Sequence, residues 1–182
     1  MDIFTKSTLS RIANSKAGYS QKSVILSEAR SYSSKISSKT SIFLSHSHND
    51  SSYVENIVVL LRKMGVDVYV DWMDDSMPKE TSGETAALLK RKIKENDKFV
   101  FLATNNSIES KWCNWEIGFG YAHKYINKIA LFPLKDDSVD WKGNEYLQIY
   151  PYISAKYSWS DDDFVVAFPN GNTIDLKQWL LQ

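Results

Sequence analysis

A chain of 182 residues, 43% hydrophobic and 24% charged, has globular composition and enough length to bury one core of ordinary size. Lys plus Arg and Asp plus Glu both number 22, and this zero formal net charge argues against nucleic acid as the main partner, because backbone-phosphate binding needs a basic excess. The single cysteine, Cys113, excludes an internal disulfide and any zinc site made of several thiolates.

Residues 1–39 read as an N-terminal helical extension and linker. Apolar residues at Ile3, Leu9, Ile12, Val24, Ile25, Leu26 and Ala29 suit one or two short helices, and S-Y-S-S-K-I-S-S-K, residues 31–39, suits a flexible linker. Lys6, Arg11 and Lys16 precede no apolar segment of the signal-peptide kind. The longest apolar runs, Ile57–Leu61 and Phe99–Ala103, are too short to span a bilayer. A cytoplasmic protein without a membrane partner is expected.

From Thr40 the pattern becomes an alternation of strand and helix. Ser41–Ser45 is a short apolar strand; Asn49-Asp50-Ser51-Ser52 supplies capping chemistry for a helix to Met64, and Gly65 stands where the residue after a helix belongs. Asp67–Asp71 is the second strand. A polar loop, W-M-D-D-S-M-P-K-E-T-S-G, leads to a helix over 84–94 and then to a third strand, Lys98–Ala103. The segment S-K-W-C-N-W-E-I-G-F-G-Y-A opens a helix reaching Tyr125, and Lys128–Leu134 is the fourth strand. Ile153–Tyr157 suggests a fifth strand, Phe164–Phe168 a terminal strand and turn, and Thr173–Leu181 a last helix. Unbroken apolar strands alternating with helices imply α/β architecture, a small doubly wound parallel sheet covered on both faces. Ligands bind such sheets beyond the carboxyl ends of the strands. There lie S-H-S-H-N-D, D-W-M-D-D and T-N-N-S-I-E-S-K-W-C-N-W-E.

Two readings stay open at Glu116. Trp112 and Glu116 are four residues apart and share a helix face, so an indole could stack on a flat ring while the carboxylate meets a sugar or a developing cation. Alternatively, Glu116 is a first-turn acid favoured by the helix dipole and Trp112 is core; Trp115, on another face, is expected in the core. His46-x-His48 with Asp50 is thin as a metal site, because His123 is the only other imidazole. Cys113 reads as a buried thiol before a nucleophile. No glycine-rich phosphate loop is present. Asp71, Asp74 and Asp75 read as a solvated acidic turn.

Taken together, S-I-F-L-S-H-S-H-N-D, G-V-D-V-Y-V-D and K-F-V-F-L-A-T-N-N-S-I-E-S-K-W-C-N-W-E-I resemble the Toll/interleukin-1 receptor (TIR) domain family over residues 40–157. The most specific piece is S-x-W-C-x-x-E, Ser110 to Glu116. The plan looks like the stand-alone bacterial members, notably the TIR component of Thoeris-type anti-phage defence, with residues 40–182 as TIR domain and C-terminal extension, and the resemblance implies the flavodoxin-like topology of the TIR fold. The resemblance implies cleavage of the nicotinamide–ribose bond of NAD+, as substrate and not as cofactor, with no metal. It implies Glu116 as the catalytic residue and Ser45, His46, Ser47, Asp71, Trp72 and Trp112 as the substrate-binding set. It also implies self-association through the 72–83 loop and a downstream effector that senses the product. One carboxylate suffices for this chemistry, since nicotinamide leaves from a cationic pyridinium and needs no general acid. The product is ADP-ribose or a cyclic isomer. Rival readings are a non-enzymatic TIR adaptor, a nucleoside deoxyribosyltransferase-like enzyme, which also breaks an N-glycosidic bond, and a two-component receiver.

Overall fold

Period-two alternation inside the apolar strands gives each strand two buried faces, and the helices between them cover both. In the computed structural model, which describes residues 3–31, 38–78, 80–143, 145–156 and 163–182, the order is β1 (Phe4–Thr5), α1 (Lys6–Lys16), α2 (Tyr19–Ser31), β2 (Ser41–Ser45), α3 (Ser51–Lys63) and β3 (Asp67–Tyr69). There follow α4 (Gly83–Glu95), β4 (Lys98–Ala103), α5 (Asn105–Glu109), α6 (Lys111–His123) and β5 (Ile129–Lys135). The chain closes with β6 (Tyr152–Ala155), β7 (Phe164–Ala167), β8 (Thr173–Asp175) and α7 (Leu176–Leu181).

The strands lie in the order β3-β2-β4-β5-β6-β7-β8. From β3 to β6 all neighbours are parallel, as the apolar pattern implies, and their order is the flavodoxin-like one. The strand order reverses between β2 and β4, which makes their carboxyl ends the switch point of the sheet. β7 and β8 are added antiparallel.

The two faces carry different side chains. Ile42, Leu44, Val68, Val100, Leu102, Ala130 and Phe132 pack under α1, α2, α3 and α7 in one core. Phe43, Tyr69, Phe99, Phe101, Ile129 and Leu131 form the other with Leu89 and Ile93 of α4 and Cys113 and Ile117 of α6. On that second face Phe43 stacks on Tyr69 at 5.6 Å and on Phe99 at 5.5 Å between ring centroids. Helix α6 comes so close that a Cβ at Gly120 would stand 3.1 Å from the Phe99 ring.

Several local expectations are corrected. The short strand β1 is absent from the pattern reading; its two residues pair with the end of β5, Phe4 opposite Leu134. Asp50 is the N-cap residue of α3 but makes no cap hydrogen bond, because its carboxylate serves the loop after β4 instead. The second strand ends at Tyr69, since Asp71 already belongs to a 3-10 turn. The last helix begins at Leu176, not Thr173: Thr173–Asp175 pairs with β7, and the Asp175 carboxylate accepts from the Gln178 N–H at 3.0 Å, capping α7. Gly65, with φ of +96°, takes the left-handed turn after α3 that only glycine adopts without strain. Most of the expected linker, residues 32–37, and Tyr157 of the fifth strand lie outside the described residues. No helix among the described residues is long and apolar enough to cross a membrane.

The N-terminal helices are built into the core. Leu9 is 0% and Ile12 2% exposed, both in the α3-side cluster. Leu9→Ala is therefore expected to lower unfolding free energy by about 2–5 kcal/mol. Chemical denaturation of the full chain measures this; a loss below 1 kcal/mol would mean that α1 contributes little to the fold.

Candidate active site

The switch point is held open by a bonded frame. The loop leaving β2 is tied to the start of α5: the Ser47 N–H donates to Ser107 Oγ at 3.0 Å, and Asp50, fully buried, accepts from Thr104 Oγ1 at 2.5 Å and Asn106 Nδ2 at 2.8 Å. The Thr104 hydroxyl also caps α5, accepting from the Ser107 N–H at 3.0 Å. On the other side, Asp74 pins the loop after β3. It is 4% exposed, accepts from Tyr69 Oη at 2.9 Å and Ser76 Oγ at 2.6 Å, and lies 3.5 Å from Lys92 Nζ of α4. The acidic turn expected to be solvated thus has one buried anchor, and only Asp75 of the three carboxylates is exposed.

Between these loops lies a cavity of about 220 Å³ lined by residues of four segments: His46, Ser47, His48 and Asn49; Asp71; Thr81, Thr85 and Leu89; and Ser110, Trp112, Cys113 and Glu116. Ser110 caps α6, accepting from the Cys113 N–H at 3.3 Å, and so aims the first turns of that helix at the end of β2. Glu116 falls in the second turn, and no acid occupies the first, so a helix-dipole role does not account for it. Its carboxylate is 5% exposed and accepts from Ser45 Oγ at 2.5 Å.

Burial dominates the electrostatics of Glu116. Removal from water pushes its pKa up to about 8; the Ser45 hydrogen bond opposes this, Asp71 adds to it and His48 offsets part. Asp71 behaves oppositely. Burial works to raise it, but the His48 hydrogen bond, the charges of His46 and His48 and the Trp72 N–H together hold it below the usual carboxylate range. The same hydrogen bond raises His48. Two carboxyls facing one cavity are thus driven apart, the pattern that divides acid and base roles. Cys113 is no nucleophile here: burial first, then Glu116, pushes its thiol up to about 12, and Sγ–H donates to the His46 carbonyl at 3.2 Å.

Of the residues singled out from sequence, Glu116, His46, Ser47, Asp71 and Trp112 meet at this cavity, and Ser45 lies directly behind Glu116. Trp72 does not line it; its ring is 36% exposed on the neighbouring turn. Trp112 is a mouth residue, 37% exposed, and not core; it meets Trp115 edge-on at 5.5 Å. Trp115 is half-buried at the margin of the core and stacks on Phe119. Thr81, Thr85 and Leu89 were missed. The four-residue spacing of Thr85 and Leu89 on α4 was available as a signal, but nothing in the pattern pointed that face at the switch point. Among the described residues no group of three or more metal-ligating side chains converges.

Fold order, switch-point cavity and the Trp112–Glu116 pair define the class. The family profile of the TIR domain matches residues 42–166, and the chain belongs to that family. Two curated relatives share 34% identity with it. One, from Bacillus cereus (strain MSX-D12), is named "Probable 3' cyclic ADP-D-ribose synthase ThsB'"; the match covers 62% of this chain and 60% of the relative. The other, from Cytobacillus dafuensis, is named "Putative cyclic ADP-D-ribose synthase TIR2"; the match covers 55% of this chain and 31% of the relative. The chain therefore spans less than two thirds of either relative.

The raised Glu116 pKa sets a sign for stability against pH. The folded state binds the proton more tightly than the unfolded state, so stability is fully present below the ordinary value of 4.5 and falls as pH rises towards about 8. Glu116→Gln, which keeps shape without charge, is expected to flatten that fall and to be the more stable form at pH 9, by on the order of 2–4 kcal/mol. Denaturant unfolding of both proteins at pH 5 and pH 9 checks it. Parallel pH profiles would show that Glu116 does not titrate in this range.

Proposed function

We propose that this chain cleaves the nicotinamide–ribosyl bond of NAD+ and passes the ADP-ribosyl group to water or to an internal nucleophile. The observation that carries the reading is a carboxylate buried at the switch point, beside an exposed indole, on a TIR chain. The names of the two relatives, both cyclic ADP-D-ribose synthases, support it.

Before substrate arrives, burial favours the protonated form of Glu116 near neutrality. A pyridinium brought alongside favours the carboxylate, so binding of NAD+ releases a proton. Trp112, at the mouth, offers a flat face to the nicotinamide ring and excludes water from one side. Ser45 holds the carboxylate in place. As the C–N bond breaks, its electron pair leaves with nicotinamide, which departs neutral, and positive charge spreads over the ribose C1′ and ring oxygen. The Glu116 carboxylate stabilises that charge in a water-poor setting. Attack by water gives ADP-ribose and a proton; attack by a nitrogen or hydroxyl of the same molecule gives a cyclic product and a proton.

A cavity of about 220 Å³ takes the nicotinamide riboside end and not the whole dinucleotide. On the far side of Trp112 runs a groove of about 340 Å³ lined by Ala86, Lys90, Lys111, Trp112 and Trp115, and we place the diphosphate and adenosine there. The product would serve as an anti-phage signal read by a separate effector in the cytoplasm. Neighbouring copies would associate through the 72–83 loop, where Trp72 is exposed.

Incubation of the concentrated protein with NAD+, followed by chromatography with mass detection, tests the reaction. Nicotinamide is expected from the parent, and Glu116→Gln is expected to lower the rate on the order of 10²–10³-fold or more. Equal turnover by the variant would remove Glu116 from the chemistry, and a parent silent at every concentration would favour an adaptor. Reversing the groove charges with Lys90→Glu and Lys111→Glu together is expected to raise KM for NAD+ about tenfold with little change in kcat. An unchanged KM would place the diphosphate elsewhere.

A further inference from the structure

A second cavity lies away from Glu116, over β5 and β6. These strands are parallel neighbours, and the crossover between such strands ordinarily carries an α-helix that covers the sheet. Here residues 136–151 supply, among the described residues, only the 3-10 turn Glu145–Ile149. A cavity of about 740 Å³ is left between this crossover and the sheet. Alternation along β5 puts Lys135 on the same face as Leu131, and Leu131 pairs with Tyr152 of β6, so Lys135 and Tyr152 form the floor. Trp141 and Tyr150, 9% and 4% exposed, form the walls, with Asp140 and Gln148 at the open rim. The crossover is firmly held. Trp141 Nε1 donates to the Ala103 carbonyl at 2.6 Å, Asn105 Nδ2 donates to the Asp140 carbonyl at 2.9 Å, and the Lys142 N–H donates to Asn105 Oδ1 at 2.9 Å. Gly143 lies against the Trp141 indole, where any Cβ would overlap the ring. The cavity is therefore preformed.

Its polar groups are uncommitted. Among the described residues the Lys135 ammonium, the Asp140 carboxylate, the Gln148 amide and the Tyr150 and Tyr152 hydroxyls have no hydrogen-bond or ion-pair partner, although Tyr150 is buried. Concave sites of roughly 300–1,000 Å³ with aromatic walls and a few convergent polar groups are the usual form of a small-molecule site. The lining restricts the occupant. Three aromatic rings suit a flat ring system, and a single lysine suits a single anionic group. A wholly apolar ligand would strip water from Lys135 and Asp140 without replacing it. An amino acid would match the two charges but fill little of the space. A nucleic-acid strand would need a basic surface, and this chain has no net charge. We propose that the cavity binds a free nucleoside 5′-monophosphate. The base lies on the rings of Trp141, Tyr150 and Tyr152, the phosphate meets Lys135, and Gln148 and Asp140 take the base edge and the sugar hydroxyls. This site goes beyond the reaction at Glu116 and is independent of it.

The test uses the full chain carrying Lys90→Glu and Lys111→Glu, so that the groove beside Trp112 does not compete for phosphate. Calorimetry titrates it with adenosine, guanosine, cytidine and uridine 5′-monophosphates, none of which holds a nicotinamide to release. At least one is expected to bind, and the same nucleoside without its phosphate is expected to bind about tenfold or more weakly. Adding Lys135→Ala is expected to abolish that difference while leaving the nucleoside's affinity unchanged, and the unchanged affinity reports an intact cavity. Failure of all four nucleotides to bind overturns the proposal. So does a nucleoside that binds as tightly as its phosphate, or a phosphate preference that survives Lys135→Ala. Nicotinamide release from NAD+ by the parent chain is read separately, so the loss of this site leaves the reading of Glu116 standing, and the converse.

Discussion

Everything at the switch point is arranged around a carboxylate kept out of water. Desolvating Glu116 costs free energy that one hydroxyl, Ser45 at 2.5 Å, only partly returns. Such a position persists because packing imposes it. Helix α6 is pressed to the sheet over Phe99 by the missing Cβ of Gly120, and it buries Cys113 and Ile117 in the aromatic core. With α6 so placed, the side chain at its second inward turn, Glu116, meets the end of β2. The strain is local, and the stability that offsets it is spread over two cores.

Those two cores divide the labour. The aliphatic one, under α1, α2, α3 and α7, holds the sheet as a rigid platform. The aromatic one, under α4 and α6, carries the cavity on its margin, where Leu89 belongs to both. The loops that complete the cavity are fixed by buried carboxylates, each with a definite set of donors. Asp50 binds the loop after β2 to the start of α5, and Asp74 binds the loop after β3 to α4. Rigid walls of this kind suit the proposed reaction, in which the protein positions a sugar and stabilises charge without supplying a covalent group of its own.

Electrostatic contrast across the cavity is equally a product of placement. Glu116 and Asp71 are both carboxyls, yet one is raised and the other lowered, because Asp71 has two imidazoles and a backbone N–H beside it, whereas against its burial Glu116 has one hydroxyl and the weaker pull of His48. The pair thereby places a carboxyl that favours its proton opposite one that favours its charge.

The strands and their burial on both faces were legible in the sequence, because Ile42–Leu44, Phe99–Ala103 and Ile129–Leu134 are runs too apolar for any but a doubly covered sheet; their order was not, since apolarity says nothing of which strand lies beside which. Legible too were the turn at Gly65 and the juxtaposition of Trp112 with Glu116, which needs only the helical repeat. Short elements were not: β1 has two residues and exists only because β5 offers it partners, and Thr173–Asp175 is a strand only because β7 is beside it. The sequence by itself determined which side chains could do chemistry and roughly which edge of the sheet they would share. Tertiary structure alone decided that Asp74 is buried, that Trp72 stays outside the cavity, that Thr85 and Leu89 enter it, and that His46 faces Asp71 at 3.4 Å. Periodicity is a property of neighbours along the chain, whereas burial, desolvation and hydrogen-bond partnership arise between segments that are close only after folding.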